Sequence, residues 1–324
     1  MNVPKAELHC HLEGAAPPGL ALAKAVEHGV AIEDLITPDG ESYVWSDFTS
    51  FLAAYDRIAG LFRTPQDHFD LAYAHFAGLA SQGAVYAEVF LSPDHMVRNG
   101  DYADLLDAVI AGYLKANSET GIEGRFIPVA VRNFGPAAAL AAARLAVRHS
   151  RPQVTGFGLA GDERQYAPAD FAPAFAVACE AGLSCTAHAG ELCGSESVRQ
   201  AVDDLPIRRV GHGVRAVDDP ELVSRLADQG IVLEVCPGSN IALGLYPDLE
   251  SHPLKQLIDA GVTVTLNSDD PPFFRTDLRR EYDAVGALGL SVAELAGLTR
   301  NALEAAFIDD GTRERLLRDL STQP

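Results

Sequence analysis

The stretch Ser184-Cys185-Thr186-Ala187-His188-Ala189-Gly190-Glu191 holds the first residues whose types and spacing could do chemistry. It reads as a short buried strand ending at a histidine, with a turn that returns a glutamate beside it. A histidine at the carboxyl end of a buried strand is placed to hold a metal. A glutamate on the following turn is placed to pass a proton to whatever the metal activates. A turn of this kind is more often structural, so its weight rests on partners elsewhere in the chain. Near the amino terminus, Lys5-Ala6-Glu7-Leu8-His9-Cys10-His11 reads as a strand. Its alternate residues share a face, so His9 and His11 project side by side. Near the other end, Asp269-Asp270 lies just past an apolar run. Three imidazoles (His9, His11, His188) and the Asp269 carboxylate make a ligand set for one Zn²⁺ that leaves room for a water. That is the catalytic pattern rather than the closed structural one, and the lack of any Cys-x-x-Cys points the same way.

These residues meet only if the intervening elements bring them together. Apolar, β-branched runs at 5–11, 85–91, 125–131, 154–159, 184–188, 207–210, 231–235 and 262–266 alternate with helical stretches. Gly121, Gly182, Gly230 and Gly261 stand just beyond several of the helices, where a left-handed cap is needed. Strand–helix alternation implies right-handed crossovers and a parallel sheet. Eight such units in 324 residues fit a closed (β/α)₈ barrel of the TIM type, an α/β fold, better than an open sheet. With no composition shift or linker, residues 1–324 read as a single domain.

Residues 31–82 are expected to form a lid-like helical insertion over the barrel mouth. Within it, Phe48, Phe51, Leu52, Tyr55, Ile58 and Leu61 recur at helical spacing. They read as a core-facing amphipathic helix or as a cover for a planar apolar ligand. A barrel demands functional groups at the carboxyl ends of its strands. His9 and His11 end the first, Gly161, Asp162 and Glu163 follow the fourth, and His188 and Glu191 the fifth. His212 follows the sixth, Glu234 closes the seventh, and Asp269 and Asp270 follow the eighth. The first and eighth strands adjoin and the fifth lies across the mouth, so His9, His11, His188 and Asp269 can converge. His28, His68, His75, His149 and His252 read as ordinary surface residues, and His95 is left undecided.

Composition narrows the partners. Forty-five acidic against 25 basic residues give a formal net charge of -20 with no Lys/Arg-rich run, which argues against a nucleic-acid partner. No apolar run approaches bilayer length, and Met1-Asn2-Val3-Pro4-Lys5 lacks the features of a signal peptide. Five cysteines (Cys10, Cys179, Cys185, Cys193, Cys236) form no paired framework. A cytoplasmic location is expected, and the oligomeric state is not legible.

Six stretches carry a resemblance: residues 4–14, Leu159-Ala160-Gly161-Asp162-Glu163, Ala187-His188-Ala189-Gly190-Glu191, Gly211-His212-Gly213, Glu234-Val235-Cys236-Pro237 and Asn267-Ser268-Asp269-Asp270-Pro271. Together they resemble the adenosine deaminase family of metal-dependent amidohydrolases, in family order and over nearly the whole chain. The resemblance implies that His9, His11, His188 and Asp269 bind zinc. It implies that Glu191 protonates purine N1 and that His212 orients and helps deprotonate the attacking water. Asp270 would contact N7, the Gly161 backbone N3, and Glu13 a sugar 5′-hydroxyl, with Phe48, Phe51 and Leu52 as the apolar lid. A contact to N7, itself an acceptor, needs Asp270 protonated.

Two positions depart from the family pattern. Gly158 stands where an aspartate is usual and Phe90 where an arginine is usual, which implies a missing ion pair or a reshaped pocket. The form of residues 159–163 favours adenosine or 2′-deoxyadenosine as substrate, with adenine or another 6-aminopurine as the alternative. A zinc hydrolase of a non-purine small molecule would not need Glu191 and Asp270 together. An inactive binding barrel would tend to lose a ligand, and none is missing. A polynucleotide deaminase needs Pro-Cys-x-x-Cys besides His-x-Glu, and the chain has none.

Overall fold

The computed structural model describes residues 3–322, so Met1 and Asn2 of the stretch read for a signal peptide lie outside the described residues. Eight strands form one parallel sheet in sequence order: β1 Lys5–Glu7, β2 Ala84–Leu91, β3 Glu123–Val131, β4 Gly156–Ala160, β5 Ser184–Ala189, β6 Arg209–His212, β7 Val232–Val235 and β8 Thr263–Leu266. The ladder of β1 stops at Glu7, short of the expected end at 11. The chain beyond it instead closes the ring. His11 N–H donates to the Asp269 carbonyl at 3.1 Å, and Asp269 N–H to the His9 carbonyl at 3.1 Å. His11 also bridges to Phe90 of β2. The two ends of the sequence are thus joined by backbone at the rim where the candidate ligands sit.

Strand periodicity separates two environments. On β7, Leu233 and Val235 join the main apolar core, while Glu234 between them turns into the barrel. The barrel interior holds a charged trio beside a small apolar cluster of Phe90, Ile127, Val129 and Ala160. Arg209 Nη1 pairs with Glu88 at 2.6 Å and its Nε with Glu234 at 2.6 Å, all three fully buried. Unpaired, any one of these would carry a large desolvation cost, so the trio stands or falls together.

Four helices matter for the site: α1 Pro18–His28, α2 Phe48–Ala59, α3 Pro65–Ser81 and α4 Pro93–Asn99. The apolar stripe begins at Phe48, and α2 begins there too, directly after Asp47. The Asp47 carboxylate accepts from Ser50 N–H at 2.8 Å while Ser50 Oγ accepts from Asp47 N–H at 2.9 Å, a complete capping box. α4 was not anticipated; Pro93 at its first position and the Ser92 cap start it directly at the end of β2.

His68, His75 and His252, expected on the surface, are buried, whereas His28 and His149 are half-buried. Helical periodicity alone did not reveal that their faces turn inward. His252 lies on a loop, where no periodicity applies. Among the described residues, no helix is long and apolar enough to cross a membrane.

Candidate active site

The barrel rim gathers four candidate ligand atoms. His11 Nε2 and His188 Nε2 are 3.2 Å apart, and Asp269 Oδ1 lies 3.5 Å from His11 Nε2 and 3.6 Å from His9 Nε2. All four atoms fall within 4.8 Å of one another. Donors held at ~2.1 Å around a tetrahedral ion stand ~3.4 Å apart, so the spacing fits a zinc-sized ion. His9 is oriented from behind: its Nδ1 pairs with Glu234 Oε2 at 2.7 Å. Its Nε2 is buried without a protein partner and faces the cluster. Glu234 is held in turn by Thr186 Oγ1 at 2.9 Å and by Arg209, the support that fixes a ligand's tautomer and direction.

Burial keeps these imidazoles in the neutral, ligating form: His11 is lowered to about 4, and His9 and His188 fall well below the ordinary value. A second group, His9, His212, Cys236 and Asp269, is also close enough to share an ion. Burial drives the Cys236 thiol far up, which disfavours the thiolate that such a site would need.

Two residues here adopt strained backbone. His212 has φ 57° and Asp269 φ 63°, both left-handed and both non-glycine, a conformation that costs about 1 kcal/mol or more and is retained where geometry is over-determined. His212 is the last residue of β6 and Asp269 lies three residues beyond β8, and both side chains line the pocket at the barrel mouth.

Glu191 reaches the cluster because Glu163 builds its turn. The Glu163 carboxylate accepts from the N–H groups of Gly190, Glu191 (3.1 Å), Leu192 (2.8 Å) and Cys193 (2.9 Å), and from Ser197 Oγ. The sequence placed Glu163 at a strand end without a role; its burial beside another strand's turn explains its presence. Glu191 Oε1 lies 3.7 Å from His212 Nε2. Burial first, then the charges of Asp269 and Glu163, push the Glu191 carboxyl well above the usual range. Asp270 is raised likewise, by burial and then by Asp269 and Glu191, and its Oδ1 has no protein partner. Gly14 makes room for it: a Cβ there would sit 1.6 Å from Asp270 Oδ1.

A pocket opens over the cluster. His11, His188, Glu191, His212, Asp269, Asp270 and the backbone of Gly161 line its floor, and Phe48, Phe51 and Leu52 of α2 line its roof with Phe274. Gly161 has φ 91°, and a Cβ would meet Asn133 Oδ1 at 2.6 Å, so glycine is required there. Glu13 is beside this pocket but already engaged. Its Oε1 accepts from Ser92 N–H at 3.0 Å and its Oε2 from Tyr55 O–H at 3.1 Å.

The sequence reading gave no site role to Tyr55, Ser92, Asp56 or His95, all of which line the pocket. Asp56 Oδ1 pairs with His95 Nε2 at 2.9 Å, and His95 Nδ1 with Ser92 Oγ at 2.6 Å. Tyr55 did share the apolar stripe of α2, a signal that could have found it. Phe90 and Gly158, where the resemblance implied a charged pair, make apolar contacts beneath the candidate ligands. The Phe90 ring packs 4.8 Å from that of His9 and 4.9 Å from that of His11. A Cβ on Gly158 would lie 2.8 Å from Val129 and 3.5 Å from Phe90. An apolar wall takes the space that a charged pair would need.

The family described as adenosine deaminase matches residues 4–323. The chain is 52% identical over 321 residues to an adenine deaminase of Sinorhizobium medicae, covering 98% of each. Among solved structures, the adenine deaminase of Arthrobacter aurescens superposes with a TM-score of 0.90 at 29% identity, covering 98% of each chain. An amidohydrolase of Burkholderia ambifaria with bound zinc gives a TM-score of 0.89 at 29% identity, covering 99% of this chain and 90% of the other.

Proposed function

Because the chain belongs to the adenosine deaminase family and is a metal-dependent hydrolytic deaminase, we propose that its substrate is free adenine, converted with water to hypoxanthine and ammonia. The preference for adenosine read from residues 159–163 gives way to its alternative. The observation that carries this choice is Glu13. Tyr55 O–H and Ser92 N–H each donate to one of its carboxylate oxygens and hold it between them, and Glu13 does not line the pocket, so it is not presented to a sugar hydroxyl there. A nucleoside whose sugar hydroxyls were buried there without partners would lose about 1–3 kcal/mol for each. The relatives named as adenine deaminases, at about half identity over the full length, support the same reading.

The proposed centre is one Zn²⁺ on His9, His11, His188 and Asp269. When bound, zinc lowers the pKa of a coordinated water to about 7 and so supplies a nucleophile at neutral pH. A purine C6 is a poor electrophile until N1 is protonated. Glu191, kept protonated by burial, delivers that proton. His212 orients the attacking water, protonated Asp270 donates to N7, and the Gly161 N–H donates to N3. The rings of Phe48 and Phe51 with Leu52 cover the base and exclude bulk water. Loss of ammonia then leaves the 6-oxopurine.

Purified zinc-loaded protein offered adenine, adenosine and 2′-deoxyadenosine, with ammonia release and the ultraviolet change followed together, tests this. A kcat/KM for adenine at least about a hundredfold above that for adenosine is expected, the discrimination that unpaired buried polar groups can supply. A preference for either nucleoside would overturn the choice of substrate.

A further inference from the structure

One chain of hydrogen bonds reaches the active site from a residue outside it. Leu254 opens the helix Leu254–Asp259, so its N–H has no partner within that helix. It donates to His252 Nδ1 at 3.2 Å. A ring nitrogen that accepts carries no proton, so neutral His252 bears its hydrogen on Nε2. Nε2 stands 3.1 Å from the Asn240 side-chain oxygen and donates to it. That contact settles which way the amide faces, since its other end must then be the NH₂. The NH₂ lies 3.3 Å from His212 Nδ1. Asn240 and His212 are fully buried and His252 nearly so, and no step in the chain can be reversed without setting two donors or two acceptors face to face.

We propose that Leu254 N–H, His252 and Asn240 form a relay of fixed polarity that sets the tautomer of His212, leaving Nδ1 as an acceptor and the ring proton on Nε2. Nε2 is the nitrogen that faces the cluster, 3.7 Å from Glu191 and 3.9 Å from Asp269. His212 thus presents an N–H, not a lone pair, to the reacting space. Its part in the resting enzyme is to donate a hydrogen bond that orients the attacking water, rather than to accept that water's proton. Asn240 and His252 are positioning residues, acting through His212. The assignment of the tautomer needs no particular substrate; the role given to the donated proton rests on the deaminase reading above.

Histidine-selective ¹⁵N labelling of the zinc-loaded protein, with two-bond ¹H–¹⁵N correlation spectra, reads the tautomer without turnover. The wild-type protein is expected to show His212 protonated on Nε2. In Asn240→Asp the carboxylate has nothing to donate, so His212 is expected to move its proton to Nδ1. With that change kcat should fall at least about tenfold while KM stays within about threefold and zinc content is unchanged, the signature of an interaction felt mainly in the transition state. His252→Phe, which removes the donor to Asn240, should give a mixture of tautomers and an intermediate kcat. A wild-type spectrum with the proton on Nδ1 would overturn the relay, as would an unaltered kcat in Asn240→Asp once the tautomer has reversed. The wild-type spectrum decides the tautomer even where a variant fails to fold. If adenine proves not to be a substrate, the substrate reading falls and the tautomer is still measured.

Discussion

Three carboxyl groups, on Glu191, Asp269 and Asp270, share one buried space, and their protonation decides what each can do. Burial first, then the charge of Asp269, push the Asp270 carboxyl well above the ordinary carboxylate range and favour its protonated form. In that form it is a donor, and its Oδ1 has no protein partner to satisfy it. An asparagine amide can make the same donation. Asp270→Asn is therefore expected to keep kcat/KM for adenine within about fivefold of wild type, since one neutral donor replaces another. A much larger loss with zinc intact would mean that Asp270 works ionised or moves a proton. At this scale the sequence was informative for candidate ligands, because strand ends can be counted along a chain. It was mute about Tyr55 and Ser92 beside Glu13, because their contacts are 42 and 79 residues away along the chain.

At the scale of elements, the turn after β5 carries the largest demand. Four successive backbone N–H groups point at one carboxylate, that of Glu163, delivered by the segment following β4. Charged hydrogen bonds of this kind are worth about 1.5–3 kcal/mol each when made and leave a buried donor stranded when lost. A glutamine has one acceptor oxygen instead of two. Glu163→Gln is expected to displace Glu191 and lower kcat at least about a hundredfold, the scale of a mislaid proton donor. Zinc content should hold, because His188 lies on the strand itself; elemental analysis beside steady-state kinetics checks both. Alternation of strands and helices was plain from the sequence because apolar periodicity is local. The early end of the β1 ladder was not, because strand ends depend on the neighbour that pairs.

For the molecule as a whole, buried carboxyls make stability depend on pH. Glu281 accepts from Gly238 N–H at 3.1 Å and from Thr276 Oγ1, and burial raises its carboxyl from 4.5 to about 7. The folded state therefore binds a proton that the unfolded chain has released between those values. The associated stabilisation is complete below the unfolded value and is lost as pH rises through about 7. Glu281→Gln keeps a neutral side chain that can accept from Gly238 and donate to Thr276. Its Tm is expected to exceed wild type by roughly 2–4 °C at about pH 8, with the difference vanishing near about pH 5. Thermal melts across that range measure it.

The amino-acid sequence by itself determined the barrel and the deaminase family, and it singled out His9, His11, His188 and Asp269 as candidate ligands. Each depends on short motifs and on a local periodicity that survives without coordinates. Only the tertiary structure decided that Glu13 bonds Tyr55 and Ser92, that Phe90 and Gly158 form an apolar wall, and that His252 lies within a buried chain leading to His212. Those are facts about which side chains share space across tens to hundreds of residues. Hydrogen-bond direction is set by such neighbours, and nothing in a residue's own type or spacing encodes it.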